Sequence, residues 1–210
     1  TSAKGMAPKS NIRSYNWSND KSEVIAEAST NGLLISNHSY GVPVYNDQNE
    51  LNVPAWYMGC YNETAVDWDN IAIAHPYYLM VASAGNSGGD NYTGGLSPGL
   101  DKLTGNKAAK NNLVIANANP SVHPITGNMT SLLSNPSSSQ GPADDGRIKP
   151  DIAADGTNLF SCINTNDTAY DTYSGTSMAS PSTSGAILLL QEHYKNVNNT
   201  FMKAATLKGL

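Results

Sequence analysis

The sequence is poor in charge and has no long hydrophobic run. Charged residues make up 14% of the 210 residues, against about a quarter in an average soluble protein. The net charge is −5, so there is no basic excess of the kind that nucleic-acid-binding proteins direct at phosphates. No apolar stretch approaches the ~18 residues of a membrane-spanning helix. These absences argue against a nucleic-acid partner and against a membrane span.

Cysteine is also scarce, with only Cys60 and Cys162 and no CxxC motif. Two cysteines define no disulfide framework, and we expect both to be buried and free. Asn, Ser, Thr, Gly and Tyr are abundant, which is more typical of a secreted or cell-envelope protein than of a cytosolic enzyme. The sequence begins with Thr1 and ends in a helix-like segment, so we expect it to be part of a longer protein.

Strand-like and helix-like patterns alternate along the chain. A helix is predicted from a capping-box pattern at Asp20 to a stop signal at Asn31-Gly32. Further helices are predicted at 63–74 and 178–195, buried strands at 33–39, 78–84 and 113–118, a short strand at 159–163, and loops at 85–99 and 119–141. This order predicts an α/β fold, with a mostly parallel buried sheet and helices on both of its faces.

Ser177 is the first candidate for chemistry. It lies in Gly175–Pro181 (GTSMASP), where small residues allow close approach and a strongly apolar helix begins. The positive field and free N–H groups of a helix N-terminus stabilise negative charge beside a hydroxyl. The commonest role of a lone serine before a helix is an N-cap, and that alternative stays open.

Asn86 is the second candidate, in the segment Ser83–Gly88 (SAGNSG). The predicted strand delivers it to the carboxyl edge of the sheet, where ligands bind in parallel α/β folds. A plain Gly-Asn turn is the alternative. A dinucleotide-binding loop is a weaker one, because the glycine order is wrong and no helix follows at once. The third segment, Ser36–Gly41 (SNHSYG), ends the first strand, and we interpret its His38 as a core residue, not a catalyst.

Together these segments resemble the subtilisin-like serine proteases (subtilases), and further matches extend the resemblance along nearly the whole chain. They are Gly5–Pro8 (GMAP) and Ser138–Gly156 (SSQGPADDGRIKPDIAADG), in which Asp155 replaces the usual proline. The resemblance implies that Ser177 is the nucleophile of a serine endopeptidase and that Asn86 donates to the oxyanion. It implies substrate binding by Ser39, Tyr40, Gly41, Ser83, Ala84, Gly85 and Thr176.

The family's aspartate and histidine motifs, D-[ST]-G and H-G-T-H, do not occur in the sequence. We therefore expect residues 1–210 to be a partial catalytic domain that lacks its N-terminal part and is inactive by itself. Its partners would be a polypeptide substrate and the missing segment of the same protein. No cofactor is required and no metal ligand is assigned, although the resemblance allows structural calcium. The alternative is a non-catalytic pseudoprotease or binding module on the same fold.

Overall fold

The computed structural model describes residues 3–97 and 99–210, and its core is a five-stranded sheet between two layers of helices. The strands are β1 (Ile35–His38), β2 (Leu79–Ser83), β3 (Leu113–Val122), β4 (Met129–Ser134), β5 (Ile152–Asp155), β6 (Leu159–Cys162) and β7 (Tyr170–Tyr173). The helices are α1 (Asp20–Thr30), α2 (Glu63–Ala74), α3 (Thr176–Asn198) and α4 (Ala204–Gly209), with 3₁₀ turns at Trp17–Asn19, Ala55–Tyr57 and Gly105–Ala108.

The three strands predicted to be neighbours are neighbours. Strand β2 lies between β1 and β3, all three parallel, with Ile35 opposite Leu79 and Val81 opposite Leu113. Strand β5 pairs in parallel with β3. Strand β4 pairs antiparallel with the C-terminal half of β3. Strands β6 and β7 form a separate antiparallel pair. The predicted α/β class with a mostly parallel sheet is confirmed.

Side chains alternate between the two faces of β2, as the pleat of a strand requires. Met80 and Ala82 face one core, which contains Trp68 of α2 and Val24 of α1. The opposite face packs against α3 and α4 in a second core, whose buried residues are Leu79, Val81, Leu113, Ile115, Ala179, Ile187, Met202 and Leu207. The predicted helical cover on both faces is therefore present.

Helix boundaries follow local signals in part. Helix α2 has the predicted limits, and the Asn62 side chain caps it by accepting a hydrogen bond from the Ala65 nitrogen at 3.2 Å. Helix α1 also has the predicted limits, but its N-cap residue is Asn19, so Asp20 does not form the expected capping box. Helix α3 starts two residues earlier and ends three residues later than predicted.

Three expectations about strands were wrong. The predicted loop at 119–141 contains the end of β3 and all of β4, a hairpin whose apolar residues face solvent, with Leu133 65% exposed. Strands β5 and β7 were not predicted, because short four-residue strands on an exposed surface carry little hydrophobic signal. Strand β1 is only half-buried, since β2 is its sole strand partner among residues 3–97 and 99–210.

The two cysteines are free, as expected, but they are not buried. Cys60 is half-buried, and Cys162 is exposed because it lies on the β6–β7 pair, which packs outside both cores. Across the described ranges, no helix combines the length and hydrophobicity needed to cross a bilayer.

Candidate active site

Ser177 lies in the first turn of α3, next to the end of β1. The N-cap of α3 is Gly175, so Ser177 is not the N-cap serine that sequence alone left open. Its hydroxyl donates to the carbonyl oxygen of Ser39 at 3.3 Å, and the Ser39 hydroxyl donates to the carbonyl oxygen of Ser177 at 3.0 Å. This reciprocal pair joins the start of α3 to the end of β1. The half-buried hydroxyl of Ser177 sits in the favourable field of the helix N-terminus.

Asn86 lies beside the same helix start and is exposed. Its Oδ1 accepts hydrogen bonds from the backbone nitrogen of Thr176 at 3.0 Å and from the Thr176 hydroxyl at 3.1 Å. Because Oδ1 is held in this way, the amide Nδ2 remains available as a donor. A Cβ atom on Gly175 would lie 3.3 Å from the Asn86 amide, and Gly175 has φ of 152°, which side chains rarely adopt. Glycine at 175 therefore lets Asn86 approach the start of α3.

Thr176 connects the start of α3 to the segment that follows β2. It is fully buried, and its hydroxyl accepts from the backbone nitrogen of Gly85 at 3.1 Å while donating to Asn86. The buried hydroxyl thus fixes the end of β2 and the Asn86 side chain at once. The structure gives Thr176 a positioning role, and its contact with substrate stays a prediction.

The two predicted substrate segments end neighbouring parallel strands. The Ser83 hydroxyl approaches the carbonyl oxygen of His38 at 3.5 Å, which ties β2 to β1 just before both strands end. Ala84 is fully buried, Gly41 is exposed, and Gly85 has φ of 108°, which explains the glycine there. The two segments therefore lie side by side at the same edge of the sheet, and their contacts with substrate stay predictions.

Lys107, which sequence reasoning missed, reaches this place from the 3₁₀ turn after the glycine-rich loop. Its Nζ lies where a Cβ on Gly41 would collide with it, and its Cε lies 3.9 Å from the Cβ position of Gly85. The side chain is 3% exposed, and Nζ has no hydrogen-bond partner among the described residues. Burial lowers the pKa of Lys107 to about 8. Nothing in the local sequence distinguishes this lysine from a surface one.

His38 is a core histidine, as interpreted from sequence. It is 4% exposed, its Nε2 lies 2.6 Å from the Ser36 hydroxyl and its Nδ1 lies 2.5 Å from the Tyr40 hydroxyl. The ring packs edge-on against Trp68. Burial lowers the pKa of His38 to about 4, so the ring is neutral at pH 7. Within the described part of the chain, neither a histidine nor a carboxylate hydrogen bonds to Ser177.

A cleft of about 470 Å³ opens beside the end of β1. Tyr40 and Gly41 form one side, Thr104 and Asn106 another, and the exposed ring of Trp17 stands at its margin. The hydroxyl of Tyr40 donates to the carboxylate of Asp20 at 2.8 Å, which fixes the tyrosine at the cleft wall. Aromatic side chains form part of this cleft, as is common in ligand-binding sites.

Comparison with known proteins gives one family for the entire chain. The model of the subtilase family, Peptidase_S8, matches residues 1–210. Among curated proteins, the PII-type proteinases of Lactococcus lactis subsp. cremoris and of Lacticaseibacillus paracasei are 46% identical over 63 residues, which make up 30% of this chain. The matched segment is 3% of each of those proteins, so the chain spans only a small part of the curated relatives.

Solved structures of proteases share the fold. The patellamide maturation protease PatA has a TM-score of 0.60 and 20% identity, covering 98% of this chain and 64% of that one. The prenylagaramide maturation protease PagA has 0.58 and 20%, covering 98% and 63%. Sphericase has 0.52 and 23%, covering 90% and 51%. At these identities the likeness establishes the fold.

Proposed function

This chain belongs to the subtilase family, and on that premise we propose that it is the nucleophile-bearing part of a serine endopeptidase. The observation that carries the proposal is the corner at Gly175–Thr176, where the Ser177 hydroxyl and the Asn86 amide flank one helix start. A nucleophile and a fixed amide donor on the same corner are what acyl transfer requires.

In the proposed reaction, the Ser177 oxygen attacks the carbonyl carbon of the scissile peptide bond. The carbonyl oxygen becomes an oxyanion, which the Nδ2 of Asn86 stabilises by donating a hydrogen bond. Collapse of the tetrahedral intermediate expels the amine and leaves an ester on Ser177, which water then hydrolyses. The field at the N-terminus of α3 favours the same negative charge.

Proton transfer needs a base that the described residues do not bring to Ser177, because its hydroxyl donates only to the Ser39 carbonyl there. We therefore assign the acid–base histidine and its aspartate to a part of the protein outside residues 1–210. On this account, the isolated chain is inactive. No cofactor takes part in the proposed reaction. The low charge of the chain supports a secreted or cell-envelope location.

A polypeptide substrate would lie along Ser39–Gly41 and Ser83–Gly85. The supporting observation is that both segments end adjacent strands next to Ser177, with the cleft at Tyr40 and Gly41 continuing from them. An extended peptide can pair with such a strand end through its backbone. The alternative is a non-catalytic binding module, which would bind a peptide in the same cleft without turnover. The absence of a base beside Ser177 among the described residues favours it.

Steady-state hydrolysis of a chromogenic peptide by the full-length protein separates the two functions. Ser177→Ala should lower turnover by about 10⁶-fold, the loss known for removal of the nucleophile in subtilisin. Ser182→Ala is the matched control, because this serine lies in the same helix and bonds only to the Met178 carbonyl of its own helix at 3.1 Å. Binding of the peptide without turnover in the unmodified protein would support the binding module instead.

A further inference from the structure

The ammonium group of Lys107 lies between the two segments that are predicted to bind substrate. Its Nζ occupies the place where a Cβ on Gly41 would collide with it, and its Cε lies 3.9 Å from the Cβ position of Gly85. Gly41 ends the segment Ser39–Gly41, and Gly85 ends the segment Ser83–Gly85. Because neither glycine has a side chain, the lysine fits between them.

This ammonium has no acceptor within the described part of the chain. Lys107 is 3% exposed, and its Nζ makes no hydrogen bond there. The ion pairs of the described residues do not include it. Burial lowers its pKa to about 8, so the amine is still mostly protonated at pH 7. A protonated amine has three donors, and burying it without an acceptor is unfavourable.

The lack of a partner distinguishes Lys107 from the other buried lysines of the described residues. The Nζ of Lys149 donates to the carboxylate of Asp151 at 2.6 Å, and the two form an ion pair. The Nζ of Lys102 donates to the carbonyl oxygen of Gly88 at 2.5 Å. The fold therefore supplies acceptors to these two lysines, and an acceptor for the third must come from another molecule or another part of the protein.

The backbone that carries Lys107 is fixed against the first substrate segment. Lys107 lies in the 3₁₀ turn Gly105–Ala108, and its backbone nitrogen donates to the carbonyl oxygen of Thr104 at 3.3 Å. The hydroxyl of Thr104 donates to the carbonyl oxygen of Val42, the residue after Gly41, at 2.7 Å. These bonds hold the lysine beside Gly41, so its place does not depend on a mobile loop.

The same place is next to the proposed reacting atoms. Gly85 directly precedes Asn86, the proposed oxyanion donor. Gly41 comes two residues after Ser39, whose carbonyl oxygen accepts from the Ser177 hydroxyl at 3.3 Å. A scissile carbonyl between the serine oxygen and the asparagine amide would therefore lie close to the ammonium. The side chain nearest to it belongs to the substrate residue that supplies this carbonyl.

Building on the proposed peptidase function, we propose that Lys107 is a specificity-determining residue, which selects substrates with glutamate or aspartate immediately before the scissile bond. A substrate carboxylate would accept charge-assisted hydrogen bonds from the ammonium. An apolar side chain in the same space would leave the charge buried without a partner, so it should be rejected. Gly41 is exposed and lines the cleft, so Nζ lies directly behind the cleft surface, and the flexible four-carbon stem can direct it toward a substrate.

The test uses the full-length protein and three peptides that differ only in the residue before the scissile bond, which is Glu, Gln or Leu. The kcat/KM for the Glu peptide should exceed that for the isosteric Gln peptide by about 10- to 100-fold. Lys107→Met should remove this difference and should cleave the Leu peptide better than the unmodified protein does. Lys110→Met is the matched control, since this lysine is exposed and three positions away, and it should keep the preference for Glu.

Two features of the test keep the outcome decisive. The comparison of Glu with Gln in the unmodified protein needs no variant, so it holds even if Lys107→Met fails to fold. Equal kcat/KM values for the two peptides would overturn the proposal and leave the peptidase function intact. If no peptide is cleaved, the peptidase function has failed, and calorimetric binding to the Ser177→Ala variant decides the role of Lys107. Tighter binding of the Glu peptide would then support that role, and equal binding would overturn it.

Discussion

The Oδ1 of Asn86 lies 3.0 Å from the backbone nitrogen of Thr176, the residue before Ser177. The hydrogen bond uses the acceptor end of the amide, and its donor end, Nδ2, bonds to none of the described residues. One contact thus couples the position of the amide donor to the first turn of the helix that carries the proposed nucleophile. Preorganisation of this kind is the main contribution of a protein to oxyanion stabilisation.

Asn86→Ala should lower turnover by about 10²–10³-fold and leave KM nearly unchanged. The magnitude is the one known for subtilisin, a member of this family. The reason for the split is that the amide acts on the oxyanion and little on the ground-state carbonyl. Kinetics of the full-length protein measure it, with the exposed Asn91→Ala as control. A raised KM at constant turnover would assign Asn86 to substrate binding.

Thr176→Val should destabilise the protein by about 1–3 kcal/mol, because it leaves the buried Gly85 nitrogen without its acceptor. It should also lower turnover, since Asn86 loses one of the two bonds that hold its Oδ1. Thr183→Val is a fitting control, as that buried hydroxyl donates only to the Ala179 carbonyl of its own helix. In Thr176→Val, the free energy of unfolding from denaturant titration and the turnover should both fall. In Thr183→Val, both should stay near the values of the unmodified protein.

The neutral His38 should make the protein sensitive to acid. Its pKa is about 4 in the folded state against the usual 6.5, so the unfolded state binds the extra proton first. The stability that the neutral His38 contributes is fully present above pH 6.5. As the pH falls to 4, the free energy of unfolding decreases by about 3 kcal/mol through this group. His38→Gln should lose less stability over this range than the unmodified protein, while the exposed His193→Gln should lose the same amount. Urea titrations of the three proteins at several pH values measure this pH dependence of the free energy of unfolding.

Lys107 should destabilise the protein when charged. Its pKa of about 8 is below the usual 10.5, so the penalty is complete below pH 8 and disappears as the pH rises toward 10.5. Lys107→Met should therefore stabilise the protein at pH 7, by about 3 kcal/mol, and the gain should shrink in alkaline buffer. The exposed Lys9→Met serves as control. A constant difference between pH 7 and pH 10 would contradict the assignment of a charged, unpartnered ammonium.

Sequence and structure agree where burial leaves a clear pattern. Strand β2 is buried along its length and was predicted within one residue at each end. Helix α2 was predicted completely, because His75-Pro76 stops it. The β3–β4 hairpin was missed because its apolar residues face solvent. The segments around Ser177 and Asn86 were identified from their resemblance to subtilase motifs, because a single serine or asparagine does not by itself indicate a catalytic role.

Contacts between distant residues could not be predicted. Lys107 lies 66 positions from Gly41 and 22 from Gly85 in sequence, and only the fold brings them together. In the same way, a Cβ on Gly59 would collide with the Oδ1 of the buried Asp101, which lies 42 positions further along the chain. Both features combine buried charge with a glycine that makes room for it, and neither glycine stands out in a chain that contains 18 of them.

Covalent labelling of the full-length protein with a fluorophosphonate tests the central claim most directly, because the reagent modifies a serine only when its hydroxyl is activated. Peptide mass spectrometry then locates the label. We predict stoichiometric modification at Ser177, its loss in Ser177→Ala, and its retention in Ser182→Ala. A label on a different serine, or an unlabelled Ser177 in a protein that still hydrolyses peptides, would contradict the assignment of Ser177 as the nucleophile.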